Sequence, residues 1–95
     1  MLLRVSAEAG ADLDSIRIYG FEHYGERAAD AYLAELVRSF DRIAQWPFAA
    51  RLRTDIEPSV RLVPFGGHNI FYDLDGDVVE IVRVLHHSVD WQNEL

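Results

Sequence analysis

Two glycine-bearing breaks, Gly66-Gly67 and Asp75-Gly76, cut the second half of the chain into three runs, RLVPF, HNIFYDL and DVVEIVRVLH, whose apolar residues alternate. No other feature constrains the fold as tightly. Gly-Gly and Asp-Gly tolerate the positive φ angles of a type I′ turn, whose twist matches that of paired strands. The sequence therefore predicts a three-strand antiparallel meander beginning at Val60. Pro64 cannot donate to a ladder, so its strand is expected at a sheet edge or with that position turned outward.

The first half has a different period. Residues Leu2 to Val5 read as a short strand, and Ser6 follows as an N-cap with Glu8 in the first turn, where the helix dipole favours negative charge. Ala9, Leu13, Ile16, Gly20 and Tyr24 recur every three or four residues, which is one face of a helix from Ala7 to Tyr24, with Gly25 as its stop. A second helix starts near Glu26 and carries Ala29, Leu33, Leu36, Phe40 and Ile43 on one stripe, widened by Tyr32, Val37 and Ala44, until Pro47 ends it. Tyr32, Phe40 and Trp46 are expected to pack in the core or on its flank. The short turn between the helices forces an antiparallel hairpin. Phe48 to Ser59 shows no period and reads as a loop, longer than most connections in a compact domain, which points to a role beyond joining.

An apolar helix hairpin must cover something, and one face of the sheet is the surface on offer. The expected fold is α+β, a single domain over 1–95 in the order β-α-α-β-β-β. It would be a two-layer sandwich with the helix hairpin packed on one face of a mainly antiparallel sheet, and the other face open as a docking platform.

Composition narrows the function. There is no cysteine, which removes disulfides, thiol nucleophiles and thiolate metal sites. No stretch reaches the ~20 apolar residues that span a bilayer and no signal-peptide pattern opens the chain, so a cytoplasmic protein is expected. Sixteen acidic residues face nine basic ones, all arginine, and the net charge of −7 opposes gripping a phosphate backbone. Neither a direct nucleic-acid contact nor a membrane partner is expected. Arginine's planar fork suits carboxylates, which leaves an acidic protein partner open.

The run SAEAGADLDSIRIYGFEHYGERAADAYLAELVRSFDRIAQWP, with the later RLRTDIEPSVRLVPFGGHNIFYDLDGDVVEIVRVLHHSVD, resembles the ParE toxins of the RelE/ParE superfamily over nearly the whole chain, from Ser6 to Asp90. The most specific parts are the IFY strand and the EIVRVLHHSVD ending. The resemblance implies the toxin half of a bacterial type II toxin–antitoxin module. ParE-like members inhibit DNA gyrase by binding it, and a ParD-like antitoxin silences them in a hetero-oligomer. RelE-like members on the same fold instead cut messenger RNA in the ribosome.

Both functions can be tested against the residues. Ribonuclease chemistry needs an acid, a base and cations for the phosphate. Arg61 and Arg83 lie on strands where the RelE-like enzymes carry phosphate-binding arginines, and His86 or His87 could move a proton near neutral pH. Against this, no lysine precedes Arg61, no tyrosine stands in the final segment, and the charge repels RNA. The primary reading is the one the resemblance to ParE toxins implies, a gyrase-binding toxin, with Arg61, Arg83 and His86 expected to face the target; composition only weighs against the ribonuclease. The plainer alternatives are an Arg83 paired with Glu80 or Asp90 to anchor the tail, and a His86 bonded to a backbone carbonyl. His86, His87 and Asp90 have the types of metal ligands. Neighbours on a strand point to opposite faces, however, and no metal-site spacing appears, so no metal and no cofactor is expected. Arg38, Arg42, Arg51 and Arg53 form a local basic excess, read either as a solvated face with a pair such as Asp41 with Arg38, or as a landing area for an acidic antitoxin segment. Trp91 is expected to pack back on the body or to be covered by that partner.

Overall fold

Ser6 starts the first helix as its position predicts: its hydroxyl oxygen accepts the Ala9 N–H at 3.0 Å. The computed structural model describes residues 1–95. In it strand β1 (Leu2–Val5) leads into helix α1 (Ala7–Tyr24), which stops at Gly25 with φ of 90°. Helix α2 (Glu26–Gln45) returns antiparallel and ends before Pro47. Strands β3 (Val60–Phe65), β4 (His68–Asp75) and β5 (Val78–His86) form the meander. All these boundaries follow the sequence periods closely.

Three local details differ. Phe48 to Ser59 is not wholly a loop, because Leu52–Arg53 form a two-residue strand, β2, paired with Arg61 and Val60 on β3. The sheet therefore has five strands in the order β1-β5-β4-β3-β2, with β1 parallel to β5 and the other pairs antiparallel. The second hairpin turns on Gly76-Asp77, one residue later than Asp75-Gly76, because Asp75 still pairs with Val78. Neither turn has the two positive-φ centres of type I′: only Gly66 (54°) and Gly76 (61°), each the first central residue, are positive, the pattern of type II′. At Gly66 a Cβ would also lie 2.6 Å from the Tyr32 hydroxyl, so glycine is required twice over. Pro64 pairs with Asn69 beyond the two residues that β2 covers, and its missing donor faces the open edge.

The main core lies between helices and sheet. Leu36, Phe40, Ile70, Tyr72, Val79 and Ile81 are buried there, and the Tyr72 hydroxyl donates to the Pro47 carbonyl at 2.7 Å. α1 and α2 meet closely where Gly20 faces Ala29, since a Cβ on Gly20 would sit 3.2 Å from the Ala29 Cβ. Three residues assigned to buried faces by spacing are exposed: Tyr24, Val37 and Trp46. Tyr24 falls on the rim of an open cleft, one turn beyond the Gly20 contact.

The reverse face of the sheet is not bare, contrary to expectation. Ile56, Val60, Phe71 and Leu85 form a second small core, completed by Leu62, Val82, Val89, Trp91 and Leu95. The 54–59 segment and the C-terminal tail, which includes a 3-10 turn at Trp91–Asn93, fold over this face. Alternation explains it: Phe71 lies between Ile70 and Tyr72, and an aromatic ring on the outer face still gains by leaving water.

One irregularity shapes the edge of the sheet. Phe71 pairs with Arg83 and Tyr72 with Ile81, so Val82 is an extra residue in β5. β1 supports β5 only as far as Ile81. Beyond it α1 takes over: the Ser6 hydroxyl donates to the Val82 carbonyl at 2.8 Å, and Asp12 accepts the Val84 N–H at 2.9 Å. The same Asp12 carboxylate holds the Arg83 guanidinium in a fork, Nε at 2.8 Å and Nη2 at 2.9 Å. Asp12→Ala should lower unfolding stability by about 2 kcal/mol, below the range for a fully buried pair because both side chains keep some solvent contact. Asp12→Asn, which keeps an acceptor for Val84, should cost less. Urea midpoints at constant m-value decide this; equal losses for the two variants would show that the backbone bond contributes nothing.

Candidate functional site

The two arginines read as phosphate or target ligands do not meet. Cross-strand partners share a face, so Arg61, paired with Tyr72, is on the helix side, whereas Arg83, paired with Phe71, starts from the opposite side. Each is also engaged. Arg61 donates to the Ala50 carbonyl at 2.5 Å and lies over the Phe48 ring at 5.2 Å. Arg83 holds Asp12 and donates to the Glu94 carbonyl at 3.1 Å, and the carboxylates around it push its guanidinium above the ordinary value. It anchors the tail through Asp12 and Glu94; Glu80 bonds Arg4 instead, at 2.8 Å.

His86 and His87 converge with a third histidine that the sequence reading left out. His68, opposite His86 on the neighbouring strand, has its ring 5.6 Å from the His86 ring, and the His86 and His87 rings are 4.3 Å apart. β5 ends at His86, so strand alternation does not separate the last two rings. His86 Nδ1 bonds the Ser88 hydroxyl at 2.6 Å and accepts the Ser88 N–H at 3.2 Å, where a backbone carbonyl was expected. The three imidazoles are not placed so that one metal ion could join them. His68 Nδ1 lies 2.7 Å from the Tyr32 hydroxyl, which also reaches the Phe65 carbonyl at 3.3 Å. Burial first, then the positive charge that His86 and His87 can carry, holds His68 below the ordinary histidine range. Burial pushes the Tyr32 hydroxyl up.

Tyr32, His68 and His86 line a cleft of about 690 Å³ between the helix hairpin and the ends of β4 and β5, with Tyr19, Tyr24 and Ile16 on its helical wall. Its arginine is missing: the nearby Arg83 is tied to Asp12. A pair of imidazoles and a phenol can move protons or donate hydrogen bonds, and nothing cationic stands ready for a phosphate. Of the three groups in the cleft only His86 was read from the sequence as a site residue, and Tyr32 was read as packing, because Tyr32 and His68 become neighbours through the fold, 36 residues apart.

The arginines and tryptophan expected on one antitoxin surface divide between two. Arg53 forks Asp55 at 2.9 and 3.0 Å and lies 5.7 Å from the Trp91 ring, on the reverse face where Trp91 also meets Phe71 at 5.8 Å. Trp91 thus packs back on the body. Arg38 pairs with Glu35, one helical turn before it, in place of Asp41. Arg42 forms no ion pair and lines a second, smaller pocket together with Trp46. Arg51 is exposed beside Ala50, which lines the same pocket.

Comparison with known proteins points one way. The family model described as "ParE toxin of type II toxin-antitoxin system, parDE" matches residues 3–91. A Mycobacterium tuberculosis protein named Toxin ParE1 is 34% identical over 92 residues, covering 96% of this chain and 94% of that one. A Caulobacter vibrioides Toxin ParE1 is 36% identical over 87 residues, covering 92% and 90%. A solved structure titled "Chromosomal ParDE TA system from P. aeruginosa" superposes with a TM-score of 0.79 at 22% identity, covering 90% of this chain and 95% of that one, which shows the shared fold.

The His68 environment carries a sign. Its depressed pKa means that the unfolded chain, with histidine near 6.5, binds the proton first as pH falls. The stability it contributes is complete above about pH 6.5 and is lost below it. Urea midpoints at pH 7.5 and 5.5 should therefore drop more in the wild-type chain than in His68→Gln; an equal drop would remove His68 from the account.

Proposed function

The chain belongs to the ParE toxins of type II toxin–antitoxin systems, and on that premise we propose that it inhibits DNA gyrase by binding it, without a reaction of its own, and is neutralised by a ParD-like antitoxin. The observation that carries the reading against a ribonuclease is the separation of Arg61 and Arg83 to opposite faces of the sheet, each already bonded within the chain. Cleavage through a ribose hydroxyl requires cations, acid and base converging within hydrogen-bond reach of one phosphate. The His68–Tyr32–His86 cluster has proton-transfer groups and no free cation beside them, and a chain of net charge −7 repels RNA.

Inhibition by binding asks for a surface in place of a reaction centre. The open cleft by His86, with exposed Tyr19 and Tyr24 on its helical wall, supplies apolar area and hydrogen-bonding groups of the kind found in protein interfaces. Arg83 then acts indirectly, by holding the tail and the first helix together beside that cleft, and Arg61 lies away from it. In a supercoiling assay with purified gyrase, the wild-type chain should stall the reaction and accumulate cleaved DNA, and Tyr24→Ala should weaken inhibition. Undisturbed supercoiling, with messages cut at the ribosome by the same preparation, would replace this reading with the ribonuclease.

A further inference from the structure

Exposed aromatic rings and arginines without acidic partners gather at one corner of the molecule, where α2 ends and the chain turns toward the sheet. Trp46 and Phe48 are 71% and 66% exposed. Trp46 walls a pocket of about 240 Å³ that also takes in Val63, Phe65 and Tyr72, with Arg42 on its border. Of the nine arginines, Arg27, Arg42, Arg51 and Arg61 form no ion pair, and the last three are found at this corner. A protein with a net charge of −7 therefore carries a local gathering of arginines beside two large exposed rings, with Asp55 near enough to Arg51 to feel its charge.

Such a patch has a physical cost unless something covers it, because a solvated tryptophan and phenylalanine each leave apolar area in water. Tryptophan and arginine are also the residues most enriched where binding energy concentrates in protein interfaces. The pocket has room for one large side chain. The geometry points to this corner as the docking site for an acidic segment of the antitoxin. One aromatic or branched aliphatic side chain would enter the pocket beside Trp46. Carboxylates about one helical turn away, ~5.4 Å along a helix, would meet the forks of Arg42 and Arg51. The same combination of rings and arginines could stack nucleobases. A continuous phosphate backbone, however, would meet the net negative charge of the whole chain, whereas a short acidic segment brings only a few charges to the positive corner.

This inference rests on the toxin–antitoxin reading and narrows the sequence-based surface. Arg42 and Arg51 remain in it, Trp46 and Phe48 enter it, and Arg38, Arg53 and Trp91 leave it because their partners lie within the chain. The test titrates the purified cognate ParD-like antitoxin onto the wild-type protein and onto Trp46→Ala, Arg42→Glu and Phe21→Ala. All three side chains are exposed, so circular dichroism and urea midpoints should match the wild type. Trp46→Ala and Arg42→Glu should each weaken binding by about tenfold or more, while Phe21→Ala, on the far end of α1, should leave it unchanged. Added salt should weaken the wild-type complex and weaken Arg42→Glu less steeply. Tight binding shared equally by all variants overturns the docking site and leaves the toxin–antitoxin reading standing. An antitoxin that fails to bind even the wild-type chain overturns both. Binding of a single-stranded oligonucleotide that is lost in Trp46→Ala would reassign the corner to nucleic acid.

Discussion

The free edge of β5 is the constraint on which the remaining architecture depends. A parallel edge strand as short as Leu2–Val5 leaves the second half of β5 without a partner, and unpaired backbone groups at such an edge invite pairing with another chain. Here the first helix fills the gap with side chains. Ser6 begins that helix and also closes a bond to Val82, while Asp12 accepts Val84 N–H and grips Arg83. The extra residue at Val82 makes this possible, since a bulge rotates the strand and redirects the groups that follow it. One carboxylate thereby sets where α1 lies against the sheet and, through Arg83, where the tail begins to fold back.

Much of this fold was legible in the chain, and the parts that were not share a cause. Helix limits at Ser6, Gly25 and Pro47 and the three meander strands follow from local chemistry, which a single sequence displays directly. β2 was missed because two residues carry no period; they become a strand only when Arg61 and Val60 lie beside them. The shift of the second turn to Gly76-Asp77 has the same origin, since Asp75 stays in the ladder through its pairing with Val78. Arg83 was recognised as a possible anchor for the tail, yet its partner Asp12 lies 71 residues away, beyond the reach of spacing rules. The alternation of β4 does contain a signal that was passed over: Phe71 stands on the outward side of the strand, and a ring there implies a cover such as the one Trp91 and Ile56 supply.

That second small core changes what the sheet can offer. An open platform would expose Phe71, Val60 and Leu85, but the tail and the 54–59 segment already shield them. Besides the β1 edge, where Leu2, Leu3 and Val5 are exposed, the apolar surfaces that remain include the two ends of the helix hairpin. At one end Ile18, Tyr19, Phe21 and Tyr24 stand exposed, and the cleft with His68 and His86 opens beside them. At the other, Trp46 and Phe48 stand among unpaired arginines. α1 mixes apolar and charged residues around its circumference, so that Ile18, Tyr19 and Phe21 stand in water beside Asp14, Arg17 and Glu22. Its exposed half is consistent with a chain that completes its burial in complexes.

Separating two such surfaces also separates their energetics. Coulombic attraction between exposed charges falls off within about 10 Å at moderate salt, so a positive corner at the end of α2 does little to the field at the cleft by His86. Communication between them would have to pass through packed side chains, and the shortest rigid route is α2 itself, which carries Tyr32 against the cleft and Trp46 at the corner. Tyr32 is fixed there on three sides, by His68, by the Phe65 ring at 5.6 Å and by Gly66, where no larger residue fits. The β3–β4 hairpin and the helix are thus locked in register at the cleft. A ligand at the Trp46 corner touches Val63 and Phe65 on that same hairpin strand. Two sites that look independent by charge therefore share one mechanical element, and any displacement of β3 against α2 is felt at both.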